Sequence, residues 1–267
     1  MGFEFDRDSE VVDNGASTYS AQLSGGWLIG GGLNGGYQLA VIANALRAAS
    51  PDRPDPVVMS AHFMAAAIEG EATIHTRMLR EGGRLATLSA ELIQNDTHCV
   101  SATATYGDAA AMSTDVATMA GPPDIPPVDA CLSAELAPPG LRSAAPMLER
   151  LDLRLDPSYA GWARDQPSRS GVIQGWLRFA DRREPDTRSL LFAVDALPPV
   201  TFDLGLPGWA PTIQLTAHVR AIPEPGWLLV RHATRNVAGG MFEEDCDIWD
   251  SSRRLVAQSR QLARLPR

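Results

Sequence analysis

A chain of 267 residues, 45% hydrophobic and 21% charged, has the make-up of a folded globular protein, long enough for one large domain or two small ones. Its formal net charge of −9 argues against a broad nucleic-acid-binding surface but leaves room for a local pocket that holds an anionic ligand. Cys99, Cys131 and Cys246 are scattered and odd in number, form no metal or redox motif, and fit a reducing compartment in which they serve as small buried hydrophobes.

The acidic stretch Met1 to Asn14 has neither a basic start nor an apolar stretch of the kind a signal peptide needs. No apolar run is long enough to span a membrane, so the expectation is a cytoplasmic protein with no membrane partner. Ser17 to Ile29 read as an opening strand that delivers the chain to Gly30-Gly31-Gly32-Leu33-Asn34-Gly35-Gly36. A helix over about Asn34 to Ala49 follows, stopped near Pro51. Only Gln38, Asn44 and Arg47 interrupt its apolar surface, so it should be enclosed on all sides. Its first turn carries unpaired N–H groups and the positive end of the helix dipole. Glycines there let a ligand oxygen approach the backbone, which points to an anion or oxyanion site.

Gly30-x-Gly32-x-x-Gly35 also matches the dinucleotide-binding fingerprint. That reading needs an acidic residue at the end of the next strand and further alternation of helices and strands. Asp52 and Asp55 instead precede the next strand, and four strand-like runs follow without a helix between them: Val57 to Met64, Glu71 to Arg80, Leu85 to Gln94 and Thr97 to Tyr106. The plain alternative is a turn that serves only close helix–sheet packing. One helix followed by an antiparallel meander is an α+β unit.

From Asp108 to about Met147, Pro122, Pro123, Pro126, Pro127, Pro138, Pro139 and Pro146 stand among alanines and serines, and predict a stiffened, partly extended linker over the surface. The expected division is 1–110, a linker over 111–147, and 148–267. The second part restarts the pattern. Leu148 to Leu155 and Val172 to Phe179 are strand-like, and Pro185 at a first helical position opens a helix over Leu190 to Leu197, which Pro198 and Pro199 stop. A loop over Val200 to Pro211 leads to strand-like runs Thr212 to Ile222, Trp227 to Asn236, Met241 to Trp249 and Arg254 to Leu265. The halves repeat. Ser60-Ala61-His62 matches Thr216-Ala217-His218 at an offset of 216 − 60 = 156, and Gly82-Gly83 matches Gly239-Gly240 at 239 − 82 = 157. The helices align with Asn44 against Asp195.

Asp195 is the one polar residue in the apolar run Leu190 to Leu197. A buried carboxylate costs several kcal/mol unless paired, so a chain that keeps one there either uses it or bonds it as a structural post. Gln261 lies on the apolar face of the last strand with Leu255, Ala257, Ser259, Ala263 and Leu265, where its amide needs a partner; a structural glutamine fits as well as a catalytic one. Thr212 and Thr216 share the more polar face of their strand with Gln214 and His218, so parity alone does not aim Thr212 at the core. His62, His75, His98, His218 and His232 show no metal-ligand spacing, and no metal site is expected. No Gly-x-Ser-x-Gly elbow is present.

On these residues the chain resembles the bacterial type II acyl-CoA thioesterases and the wider double-hotdog group. The resemblance is carried by Gly31-Gly32-Leu33-Asn34-Gly35-Gly36-Tyr37, Met59-Ser60-Ala61-His62-Phe63, Ala193-Val194-Asp195-Ala196-Leu197-Pro198, Pro211-Thr212-Ile213 and Val256-Ala257-Gln258-Ser259-Arg260-Gln261. It implies a double hotdog, in which two antiparallel sheets are each wrapped around a central helix and join edge to edge. It implies hydrolysis of an acyl-CoA thioester to a fatty acid and CoA, without a cofactor, by a water that Asp195, Thr212 and Gln261 orient. Thr216 is an alternative hydroxyl, and the loop from Asp195 to Thr212 looks shorter than in close family members. Asn34 and the backbone N–H groups of Gly35 and Gly36 would then bind substrate and stabilise the oxyanion. A homodimer or larger assembly is expected. Two other readings keep the fold and change the function: a non-hydrolytic acyl-CoA binder, and an enoyl-CoA hydratase, whose Asp-x-Asn-Pro-x-His loop this chain lacks.

Overall fold

The computed structural model describes residues 2–112, 117–136 and 139–266; residues 113–116 and 137–138 of the expected linker, Pro138 among them, lie outside the described residues. The acidic start forms a short helix, α1 (Glu4–Asp8), which the charge pattern did not announce. It docks through Phe5, buried against Trp27, Phe179 and Phe192 at ring-centroid distances of 5.5, 4.9 and 5.6 Å. The opening strand β1 (Thr18–Leu23) is shorter than expected, because Ser24 accepts the Gly26 N–H and winds Gly25–Trp27 into a 3-10 turn. The helix α2 (Gly35–Ala49) is enclosed as its composition requires: every residue from Gly36 to Ala43 is buried, as are Ala45 and Leu46. Four long strands follow, β2 (Asp55–Phe63), β3 (Gly70–Glu81), β4 (Ala86–Gln94) and β5 (Thr97–Gly107).

The proline-rich stretch is more structured than a plain linker. It holds 3-10 turns, the helix α3 (Pro139–Ala144) and a two-residue strand, Leu132–Ser133. Indole and amide groups of the second half pin it: Trp176 Nε1 donates to Pro126 O (3.0 Å), Gln174 Nε2 to Asp124 O (3.1 Å) and Trp249 Nε1 to Ala120 O (3.3 Å).

The second half contains β6 (Leu151–Leu155), β7 (Val172–Phe179), α4 (Thr187–Ala193), β8 (Thr212–Val219), β9 (Leu228–Ala233), β10 (Met241–Trp249) and β11 (Leu255–Arg264). Two details of its helix differ from the sequence reading. Pro185 stands ahead of the cap, and Asp186 caps α4 in a reciprocal box with Ser189. The helix also ends at Ala193 rather than Leu197. The Asp195 and Ala196 N–H groups bond three residues back, to Phe192 O and Ala193 O, and this tightening ahead of Pro198 takes Asp195 off the helix into a turn.

Among the described residues all of these strands belong to one fourteen-stranded sheet, whose central path reads β1-β3-β4-β5-β2-β8-β11-β10-β9-β7-β6. Every pairing along it is antiparallel. The halves meet at β2 and β8, so neither presents a free edge there. Ser60 lies opposite Thr216 at this seam and their hydroxyls are 2.8 Å apart, so the repeat-equivalent triplets face one another as a local twofold axis demands. The sheet wraps α2 and α4, which pack on each other at Gly36. Among the described residues no helix is long and apolar enough to cross a membrane.

Candidate functional site

The start of α2 is tied to the far end of α4. Asn34 caps α2 by accepting the Tyr37 N–H at 2.9 Å, an arrangement worth about 1 kcal/mol. Its Nδ2 donates to the Asp195 carbonyl (2.8 Å) and to Asp195 Oδ2 (3.1 Å). The Gly36 N–H donates to the same Oδ2 at 3.0 Å. The acid of the second half is thus held by the helix start of the first.

This contact explains two of the glycines. A methyl group at Gly35 would lie 2.9 Å from Asp195 Oδ2 and 3.0 Å from the Phe63 ring, and one at Gly36 would lie 2.6 Å from the Phe192 carbonyl. The oxygen that approaches the glycine-opened backbone is therefore a carboxylate of the protein itself, and Asn34 and Gly36 already spend donors on it. The Gly35 N–H also faces this carboxylate, short of full hydrogen-bond geometry.

Burial pushes the Asp195 carboxyl up. The Gly36 N–H opposes the rise, Glu244 adds to it, His232 and the Gly35 amide oppose it, and the balance leaves the group at about 6.

Thr212 reaches the same place through a β-bulge. It pairs with Ala263, whereas Gln214, two residues on, pairs with Leu262, so one extra residue stands in β8 between them. The bulge turns Thr212 onto the inner face with Ala263 and leaves Gln214 outside with Leu262, against plain alternation. The loop that delivers Thr212 is anchored by buried Asp203, which accepts from the Ser168 N–H (2.9 Å), both Ser168 and Ser170 hydroxyls, and the Gly171 N–H (3.0 Å). Thr212 Oγ1 donates to Gln261 Oε1 at 2.5 Å. Gln261, buried on the inner face of β11 as parity requires, donates through Nε2 to Glu244 Oε1 at 2.6 Å.

Asp195, Thr212, Gln261, Glu244, Asn34 and Gly35 all line one cavity of about 290 Å³, whose apolar wall includes Ile29, Leu33, Phe63, Leu197 and Trp209. Gln38 also lines it, and its buried Oε1 has no hydrogen-bond partner among the described residues. Thr216 does not line it: its hydroxyl is taken up at the seam by Ser60 and by Gln214 Nε2 (2.7 Å).

Asn44, the counterpart of Asp195, donates to Ser9 O (2.6 Å) and accepts from Arg188 Nη1 (2.7 Å). Arg188 stands in the first turn of α4, where α2 has glycines, so the pseudo-equivalent place is filled by side chains. Glu244 was not named from sequence, and Gln38 and His232 were named there only as a polar break in the helix and as one of five histidines, not as site residues. A signal existed for Glu244: Phe242, Glu244, Cys246 and Ile248 form the inner row of β10, with one acid among apolar residues.

The chain matches the family models described as the acyl-CoA thioesterase N-terminal domain over residues 23–107 and the acyl-CoA thioesterase C-terminal domain over residues 122–265. It is similar to the crystal structure of a candidate thioesterase II from Thermobifida fusca YX, with 36% identity, a TM-score of 0.88 and coverage of 99% of this chain and 98% of that one. A hot-dog-fold protein of Alicyclobacillus acidocaldarius shares the fold, at 20% identity and a TM-score of 0.88, over 100% of this chain and 99% of that one. An uncharacterized protein of Mycobacterium tuberculosis (strain H37Rv) is 32% identical over 97% of this chain and 94% of its own length.

Proposed function

Because the chain belongs to the acyl-CoA thioesterase family, we propose that it hydrolyses acyl-CoA thioesters to a free acid and CoA, with Asp195 as the general base on water. The observation that carries this reading is a carboxylate raised to about 6, clamped at a helix start and facing one cavity with the Thr212–Gln261 pair. Asp195 takes a proton from a water held between it and Thr212 while the water oxygen bonds to the thioester carbon. The Gly35 N–H, at the positive end of α2 and short of a full hydrogen bond to Asp195, is the amide we assign to the developing oxyanion. The carbon–sulfur bond then breaks, and CoA departs as a thiolate, a leaving group that needs little acid help. The apolar wall suits an acyl chain. The assignments of Asp195, Thr212 and Gln261, the substrate-binding role of Asn34, Gly35 and Gly36, and the division at 111–147 are all parts of this proposal, as is a single productive site per chain.

Free-thiol release measured across straight, branched and aromatic acyl-CoAs tests it. Saturable release from at least one substrate is expected; tight binding without release across the panel would make the protein a carrier or sensor instead. The same proposal includes a homo-oligomer, motivated by a chain that already resembles a joined pair. Light scattering at micromolar concentration should give at least twice the chain mass of 28.6 kDa, and a strict monomer would remove that part.

A further inference from the structure

Four adjacent strands, β8, β11, β10 and β9, each contribute one polar side chain to a connected group: Thr212, Gln261, Glu244 and His232, with Thr212 and His232 set diagonally, opposite Ala263 and Cys246. Gln261 and Glu244 are direct cross-strand neighbours, and both are buried. Both oxygens of Glu244 accept. Oε1 takes the Gln261 Nε2 proton at 2.6 Å, and Oε2 takes the Val200 N–H at 2.9 Å. His232 Nδ1 lies 3.1 Å from Oε1, and as an imidazolium it steadies the carboxylate chiefly by its charge. Burial pushes Glu244 up, yet His232, the Val200 N–H and Gln261 outweigh it and hold the carboxyl below its ordinary value.

Resting on the hydrolytic reading above, we propose that Glu244 is a positioning residue that sets the direction of the hydrogen bonds leading to Thr212, so that the Thr212 oxygen accepts, rather than donates, toward the cavity. An ionised carboxylate has no proton to give, so only the NH₂ end of Gln261 can face it. The Gln261 carbonyl must then face Thr212, which commits the one hydroxyl proton of Thr212 to it. What Thr212 presents to the cavity is a lone pair. A water that gives one proton to Asp195 and the other to Thr212 keeps its own lone pairs free for the carbonyl carbon. A proton-donating Thr212 would occupy one of them.

Glu244→Gln reverses this chain. The substituted amide has one acceptor where the carboxylate has two. If it keeps the buried Val200 N–H satisfied, its own NH₂ faces Gln261. The Gln261 amide then flips, its NH₂ faces Thr212, and the hydroxyl proton of Thr212 turns into the cavity. The Val200, Gln261 and Thr212 groups all stay bonded, but buried His232 loses the carboxylate charge beside it, so a stability cost accompanies the change of direction.

The test uses thiol release from octanoyl-CoA, or from the straight-chain acyl-CoA that wild type cleaves fastest, for Glu244→Gln, Thr212→Val and the double variant. Glu244→Gln should lower kcat about 10-fold or more, with KM within about threefold, the scale for a misdirected reacting group. Thr212→Val should cost little more in the Glu244→Gln background, because the oxygen it removes no longer holds water correctly. Wild-type kcat in Glu244→Gln, a loss confined to KM, or full additivity would overturn the proposal. Asp195→Asn in the same assay separates the layers. If it is inactive while Glu244→Gln matches wild type, only the role of Glu244 falls; if it matches a hydrolysing wild type, Asp195 is not the base and the water-holding role of Thr212 falls with it; if wild type itself releases no thiol, the hydrolytic reading falls and this one with it. Should Glu244→Gln fail to fold, neutron diffraction from deuterium-exchanged wild type decides: deuterons on Gln261 Nε2 facing Glu244 are expected, and deuterons facing Thr212 contradict the proposal.

Discussion

Asp195→Asn is expected to lower kcat by at least about 100-fold, the scale for losing a general base. The substitution changes little else. An asparagine Oδ1 can still accept the Gly36 N–H and the Asn34 amide that now bind Asp195 Oδ2, so the junction of α2 with the end of α4 keeps its bonds. Steady-state thiol release with circular dichroism on the same preparation checks the claim. A fully folded Asp195→Asn that cleaves acyl-CoA at the wild-type rate would remove Asp195 from the mechanism. Folding should not suffer at neutral pH, and the sign follows from linkage. The carboxyl stands at about 6 in the folded chain against an ordinary 3.8. Between those values the folded state holds more protons than the unfolded state. The stability tied to this group is therefore full below the ordinary value and lost as pH rises through about 6. At pH 7 the ionised Asp195 is a cost to the fold, and asparagine relieves it.

The same displaced carboxyl predicts the acid side of the pH profile. Only ionised Asp195 can take the water proton, so kcat/KM should fall with an apparent pKa of about 6, dropping about tenfold for each further pH unit. A carboxylate at its ordinary 3.8 would leave kcat/KM flat down to pH 5. The cause is burial, helped by Glu244 and opposed by the Gly36 N–H and His232. A profile measured from pH 4.5 to 8 with a substrate that does not itself titrate in that range is sufficient. A flat line down to pH 5 would show that the group doing the work is not this one.

Much of the architecture was legible because it rests on periodicity. The enclosed α2 followed from an apolar surface that only Gln38, Asn44 and Arg47 interrupt, and the strands Val172–Phe179 and Met241–Trp249 fall where alternation put them. The join at β2 and β8 followed from the repeat, since Ser60 and Thr216 are matched by sequence and meet in space. What was not legible depends on contacts between distant residues. Nothing local says that the Gly36 amide is aimed at a carboxylate 159 positions away. Nothing local says that Asp195 leaves its helix before the prolines. Parity alone did not aim Thr212 at the core, because parity assumes an unbroken ladder, and one bulge supplies the aim. The docking of α1 escaped notice because a five-residue helix has no periodicity of its own; Phe5 is held by aromatic partners from elsewhere in the chain. Glu244 is a different case. Its strand and parity were both readable, and attention to inward polar residues would have reached it.

The central claim is that Asp195 activates water and does not itself attack the thioester. Single-turnover hydrolysis in ¹⁸O-water, with enzyme in excess over acyl-CoA, tests it most directly. Mass spectrometry should find ¹⁸O in the released acid at the first turnover and none in the peptide that carries Asp195. Unlabelled acid together with ¹⁸O in the Asp195 carboxyl would mean that an acyl–Asp195 anhydride had formed, and would contradict the account.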